Sequence, residues 1–324
     1  MSKQTRWKAL FACVALVLML VIVYSGLRIL ESAVFLQQDA EPEKSKTITR
    51  DGVEYFPRQD ITVLLLMGIG EWGEVAPKEP NAATAADMIT LMIFDEKEEE
   101  VTLLSLNRDT MTIMQALDEA GYPDGRVRQQ LALAHCYGTG LEDSCENMVA
   151  AVSELLGGIR IDHYLSTKLD AIAIMNDAVG GVTVTVKDDF SAVDPSITMG
   201  EYTLQGRQAV AYVQTRRVLE DSLNVSRMER HREFLDGFLP ALRSKMGESD
   251  TFAISAYEKI SPYIVTDCSV NTLTGMMQRY TDYSIAEYVS PEGDNVLGKE
   301  YYEFYPDEEK LDDLILRLFY APKN

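Results

Sequence analysis

I-T-V-L-L-L-M-G, residues 61–68, is the stretch on which the fold turns. It is almost continuous in apolar side chains and closes on Gly68, the pattern of a strand buried on both faces. Downstream, Met88 to Phe94 and Val101 to Leu106 have the composition of two more strands. The charged turn Asp95 to Glu100 predicts that they form a hairpin. Val127 to Tyr137 has helical spacing and stops at Gly138, and Asp143 and Ser144 can cap a following helix that runs to Leu156. His163 to Ser166 predicts a short strand, Leu169 to Val179 a helix and Val182 to Val186 a strand. Helices are expected over Gln205 to Thr215 and Val225 to Leu242, then near Ala253 and Asn271, with a short strand around Ile285 and a last helix from Asp307. This order implies an α/β fold, a three-layer αβα sandwich with a mixed central sheet. Fold class alone assigns no function.

Upstream of that domain, Ala9 to Leu27 is apolar almost throughout. At ~1.5 Å per residue it spans roughly 28 Å, one bilayer core. Lys3, Arg6 and Lys8 precede it, and after Arg28 the chain turns acidic with Glu31, Asp39, Glu41 and Glu43. The basic flank predicts a single-pass type II protein of the cell membrane, with residues 1–8 cytoplasmic, 9–27 a transmembrane anchor and the remainder extracellular. A cleaved signal peptide would have a shorter apolar core and a prompt small-residue cleavage site; Gly26-Leu27-Arg28 is a poor one. Residues 28–59, polar and broken by Pro42 and Pro57, are expected to be a stalk. Residues 60–293 are expected to form the main domain, and 294–324 a C-terminal extension with a helix.

Lys and Arg total 30 against 51 Asp and Glu, a net charge of -21. Against this background, Arg207, Arg216, Arg217, Arg227, Arg230 and Arg232 crowd into one stretch with only Glu220, Asp221 and Glu229. A local cationic cluster suits a compact anion, because guanidinium forks match phosphate oxygens in pairs. Nucleic acid would need a broad basic face, so it is excluded as a partner. Cys13 falls in the anchor, leaving the odd set Cys136, Cys145 and Cys268. No metal-ligand spacing joins these three to His135, His163 or His231.

Ligands of layered α/β folds gather where strands end. Asp87 enters the second strand, Arg108 and Asp109 leave the third, and Arg216 leaves a helix. Arg227 and Arg230, three apart, share a face of the next helix. Such arginines with a carboxylate suit a diphosphate with Mg²⁺. Each residue also has a plain structural reading: Asp87 as a turn cap, Arg108-Asp109 as a surface pair, and Arg227, Arg230 and Arg232 as the solvated face of a helix. His231 is expected on the helix surface.

The ordered segments carry more. L-L-L-M-G (64–68), A-D-M-I-T-L (86–91), V-T-L-L-S-L-N-R-D-T (101–110), A-H-C-Y-G (134–138), G-G-V-T-V-T-V (180–186), L-Q-G-R-Q-A-V-A-Y-V-Q-T-R (204–216) and R-M-E-R-H-R-E-F-L (227–235) resemble, in order, the LytR–CpsA–Psr family. The similarity covers about Asp60 to Leu242, with a weaker echo from about Thr266 to Gly293. The resemblance implies a phosphotransferase that attaches glycopolymers, such as teichoic acids and capsular polysaccharides, to peptidoglycan. The implied donor is polyprenyl-pyrophosphate-linked, and Mg²⁺ (or Mn²⁺) assists. Carried over by position, Asp87 matches the metal-binding aspartate, Arg108 and Asp109 the catalytic pair, and Arg108, Arg216, Arg227 and Arg230 the pyrophosphate-binding arginines. Asp109 is the candidate base, and Val210, Phe234 and Phe238 are candidates to line a cleft for the prenyl chain. Three departures stand out: Gly70 where an acid is common (Glu71 is one position late), Ala85 where arginine is common, and Gln214 for the first arginine of R-T-R. They leave open a silent cell-wall or lipid-pyrophosphate binding or regulatory protein, and a prenyl-pyrophosphate phosphatase.

Overall fold

A computed structural model describes residues 47–215 and 224–323. The expected anchor at 9–27 and Arg216 lie outside the described residues, among which no helix is long and apolar enough to cross a membrane. Strands β1 (Ile48–Arg50) and β2 (Val53–Pro57) lead into β3 (Ile61–Ile69), β4 (Ala86–Asp95) and β5 (Glu100–Ser105). The hairpin β6 (Met111–Leu117) and β7 (Pro123–Gln130) is followed by a 3-10 turn at Leu131–Cys136, then α1 (Glu142–Leu155) and β8 (His163–Lys168). Next come α2 (Leu169–Ala178), the hairpin β9 (Val182–Val186) and β10 (Gly200–Leu204), α3 (Arg207–Gln214) and the long α4 (Val225–Glu248). The chain continues through α5 (Phe252–Ile260), β11 (Ile264–Thr266), α6 (Val270–Tyr280), β12 (Ser284–Val289), β13 (Gly293–Leu297), β14 (Tyr302–Pro306), α7 (Glu308–Phe319) and β15 (Tyr320–Pro322).

Six strands form the central sheet in the order β11-β8-β3-β4-β5-β12. It is mixed: β3 pairs β8 and β5 pairs β12 in parallel, while β3–β4, β4–β5 and β8–β11 are antiparallel. The two-residue period of β3 sorts its side chains to opposite sides. Val63, Leu65 and Met67 join Met148 and Val152 of α1 and Ile315 and Leu318 of α7 in one core. Leu64 packs on the other face with Leu235 and Leu239 of α4 and Met276 and Tyr280 of α6. Helices therefore cover both faces, as the continuous apolar run predicted.

The helix expected over Val127–Tyr137 is absent. Val127 lies in β7 opposite Met114, with Arg126 opposite Gln115 and Arg128 opposite Ile113. The alternation of Arg126, Val127 and Arg128 has strand period, and the helical spacing survives only as the short 3-10 turn. The Val182–Val186 strand lies outside the central sheet and pairs with β10 alone.

The expected stalk and C-terminal extension also need correction. Residues 48–57 form β1 and β2, which pair in one small sheet with β15. Leu311, Ile315, Leu318, Phe319 and Tyr320 are all buried in the core beneath β3. The chain from Thr47 onward is one compact unit, so the segments that look peripheral in sequence close the fold. Removing residues 308–324 would strip five large side chains from that core, at about 1.5–3 kcal/mol each. That matches the whole stability of a typical domain, about 5–15 kcal/mol. The truncated chain is expected to show no cooperative urea transition by circular dichroism.

Candidate functional site

β4 lies between β3 and β5, with Gly68 opposite Met88 and Thr90 opposite Ser105. Asp87 and Arg108 thus come out at the same end of the sheet, and the first turn of α4 brings Arg227 across to meet them. Arg108 and Arg227 each donate from Nη1 to the same Asp87 oxygen, Oδ1, the latter at 3.1 Å. Arg227 Nη2 also donates to the Asp87 carbonyl at 3.2 Å. The Arg227 side chain is only 4% exposed, so its charge depends on these acceptors. Arg108 is more open, and its Nη2 has no hydrogen-bond partner among the described residues.

Two asparagines not singled out in the sequence hold this cluster. Asn224 Oδ1 accepts from Arg227 Nε at 2.9 Å, and Asn224 Nδ2 lies 3.4 Å from Asn107 Oδ1. Asn107 Oδ1 in turn accepts from the Asp109 N–H at 3.0 Å. Asn224 sits just before α4, where asparagine suggests an ordinary helix cap. Its side chain makes no cap bond and is turned to Arg227 instead. Asn107 belongs to the N-R-D-T segment and could have been noted there.

The remaining expected residues divide. Asp109 is 3% exposed. Its Oδ1 accepts from Gln130 Nε2 at 3.0 Å and lies 3.5 Å from Arg108 Nε. The Asp109 carboxylate is thus enclosed, at ion-pair distance from Arg108. Arg230 does not join Asp87. Its guanidinium donates to the Tyr212 carbonyl at 2.9 Å, to the Thr215 carbonyl and to Asp188 at 3.0 Å. It caps the negative C-terminal end of α3.

The departures at 70 and 71 acquire a geometry. Glu71 is engaged by Lys78 at 2.7 Å, Thr84 at 3.1 Å and Lys168 at 3.7 Å, and it does not line the cavity that Asp87 lines. A Cβ at position 70 would run into Asp87 Oδ2. Glycine keeps that second oxygen uncovered, and no hydrogen bond reaches it among the described residues. Gln214 stands at the same rim.

From this charged end a cavity of about 500 Å³ runs between the sheet and the helices α4, α5 and α6. Gly70, Asp87, Gln214, Arg227 and His231 form its polar end; Leu66, Met92, Phe238 and Met276 are typical of the rest. Phe234 and Phe238 line it as expected, whereas Val210 is buried outside the lining. Arg243, Thr281 and Ser284 also line it, but most of the remaining wall is apolar, which suits an amphiphile with an anionic head and a hydrocarbon tail.

His231 belongs to this wall, not to an exposed helix face. Its Nε2 lies 3.0 Å from the Val213 carbonyl and donates to it. Burial, with the Arg227 charge beside it, pushes its pKa down to about 3 from the ordinary 6.5. Unfolding therefore takes up a proton between these values, and stability present above about pH 6.5 is lost as the pH falls toward 3. Going from pH 7 to pH 5 is expected to remove up to about 2 kcal/mol through this group. In His231→Gln that part of the slope should vanish, as urea unfolding at the two pH values would measure.

Comparison with known proteins agrees with this architecture. The sequence profile of the LytR_cpsA_psr family matches residues 24–318. The polyisoprenyl-teichoic acid–peptidoglycan teichoic acid transferase TagU of Halalkalibacterium halodurans is 27% identical over 271 residues, covering 82% of this chain and 80% of that protein. The crystal structure of protein gbs0355 from Streptococcus agalactiae superposes with a TM-score of 0.66 at 21% identity, covering 80% of this chain and 86% of that one. A structure of TagT bound to LI-WTA superposes with a TM-score of 0.62 at 22% identity, covering 85% and 95%.

Proposed function

The chain belongs to the LytR–CpsA–Psr family, and on that footing we propose that it transfers a polyprenyl-pyrophosphate-linked glycopolymer, of teichoic acid or capsule type, to peptidoglycan. One observation carries the reading: Arg108 and Arg227 converge on Asp87 at the mouth of a deep apolar cavity. The diphosphate would lie against the guanidiniums and the prenyl tail would enter the cavity. A hydroxyl of the peptidoglycan sugar attacks the phosphorus that bears the polymer. A new P–O bond forms, the P–O bond to the bridging oxygen breaks, the hydroxyl proton is released, and polyprenyl phosphate departs. Arg108 and Arg227 offset the charge that grows on the departing phosphate, so the rate enhancement is electrostatic and positional. Asp109, Asn107 and Asn224 hold those arginines in place.

The uncovered Asp87 Oδ2 beside Gly70 suits a Mg²⁺ or Mn²⁺ ion that takes its other ligands from diphosphate and water. Such an ion, when bound, would add a Lewis-acid charge next to the phosphates. Residues 9–27 would anchor the protein as a single-pass type II membrane protein with its domain outside the cell. That would confine it to the surface where a lipid-linked donor resides.

The test supplies the full chain with a prenyl-diphosphate-linked glycopolymer, a peptidoglycan oligosaccharide and Mg²⁺. Polymer on the acceptor and polyprenyl phosphate should appear in equal amounts. Tight donor binding with no release would instead identify a silent binding protein, the reading favoured by Gln214 and by the engagement of Glu71 elsewhere. Release that ignores the acceptor would identify a phosphatase.

A further inference from the structure

We propose that His163, Asp267 and Cys268 form a binding site for a thiophilic divalent cation of the zinc class, separate from the Asp87 cluster. β8 and β11 are antiparallel neighbours with Thr266 opposite Leu165, so the two residues after β11 arrive where His163 opens β8. The three side chains offer an imidazole nitrogen, a carboxylate oxygen and a sulfur, all within 4.8 Å of one another. His163 Nδ1 is 3.1 Å from Asp267 Oδ2, and Cys268 Sγ is 3.8 Å from Asp267 Oδ1. Around a tetrahedral zinc ion, with bonds of about 2.0–2.3 Å, neighbouring ligand atoms stand roughly 3.3–3.8 Å apart. The set needs only small side-chain adjustments to close on an ion.

Several features support the site. His163 and Asp267 are 31% and 34% exposed, which leaves an entry path and an open fourth position for water. Asp267 Oδ1 accepts from the Tyr164 N–H at 3.0 Å, a contact that orients the carboxylate. The surroundings are acidic: burial, together with the charges of Asp143, Glu142 and Asp267, raises the pKa of nearby Glu146. Cys268 is a free thiol. Binding would exchange its proton for the ion, one proton released for each S–metal bond formed. Mg²⁺ prefers oxygen ligands and would not compete for a thiolate. The ion would tie edge strand β11 and the start of α6 to β8. Because Leu273 and Met276 of α6 line the cavity, loading would stiffen that wall.

The test titrates the reduced full chain, in detergent and with Mg²⁺ in excess, with Co²⁺ as a coloured substitute for Zn²⁺. One equivalent should produce a thiolate-to-cobalt charge-transfer band, release one proton and be displaced by Zn²⁺. Cys268→Ser should abolish the band and His163→Ala should weaken binding at least ten-fold, whereas Cys136→Ser and Asp87→Asn should leave both unchanged. Circular dichroism establishes that each variant is folded, and Zn²⁺ should raise the Tm of the parent but not of Cys268→Ser. Absence of the band, or its survival in Cys268→Ser, would overturn the proposal without touching the transferase reading.

Discussion

Exchanging Asp87 for asparagine is expected to lower the rate of glycopolymer transfer by about 10²–10³-fold, the range seen when one preorganised electrostatic contact to a transition state is lost. The substitution keeps the shape and removes the charge. Oδ1 is the common acceptor for Arg108 and Arg227, and asparagine offers it only as a neutral amide oxygen, so both guanidiniums lose the negative charge they share. Arg227 is buried, and leaving its charge uncompensated costs up to about 3–5 kcal/mol, less here because Asp87 itself is 28% exposed. Binding should behave differently from turnover. Without a divalent cation, a prenyl diphosphate meets two guanidiniums and one carboxylate fewer, so its affinity should not fall. Dependence of the rate on Mg²⁺ should weaken in step, because the uncovered Oδ2 disappears with the charge. Unchanged transfer with unchanged cation dependence would remove Asp87 from the site.

The second large effect concerns the tail. Met92 lies on the cavity wall formed by β4, and Met92→Trp would fill part of the 500 Å³ space. Excluding about four methylene equivalents of a bound chain, at ~0.8 kcal/mol each, forfeits roughly 3 kcal/mol, or about 10²-fold in affinity. The loss should appear only for donors with long prenyl chains. A short, water-soluble prenyl diphosphate engages the arginines alone and should bind both proteins equally. Thermal unfolding gives the control, since added apolar contacts inside an open cavity should not lower Tm. Equal loss for long and short donors would mean that the cavity does not hold the chain.

Much of the site was legible residue by residue. Asp87 and Arg108 stand out as charged groups at strand ends and Arg227 as part of a local arginine cluster on a helix, and the three do meet. Helical spacing places Arg230 beside Arg227, but only the position of α3 decides that its guanidinium engages the Tyr212 and Thr215 carbonyls. The burial of Asp109 was not legible, because Gln130 and the 302–304 segment that enclose it come from elsewhere in the chain. The β6–β7 hairpin was missed because a short amphipathic stretch such as Val127–Leu133 satisfies both periods, and pairing with Met114 tips the balance.

By itself the sequence determined most of the strands and helices, the two-sided burial of β3 and the family. These depend on the order of neighbouring side chains, which the chain carries along its length. Tertiary structure alone decided which charges share an oxygen, as with Asp87 and Arg227, 140 residues apart. It also brought His163 to Asp267 and Cys268, and it opened an apolar cavity behind the arginines. Such meetings depend on strand order and on the rotation of helices against the sheet, and local periodicity contains neither.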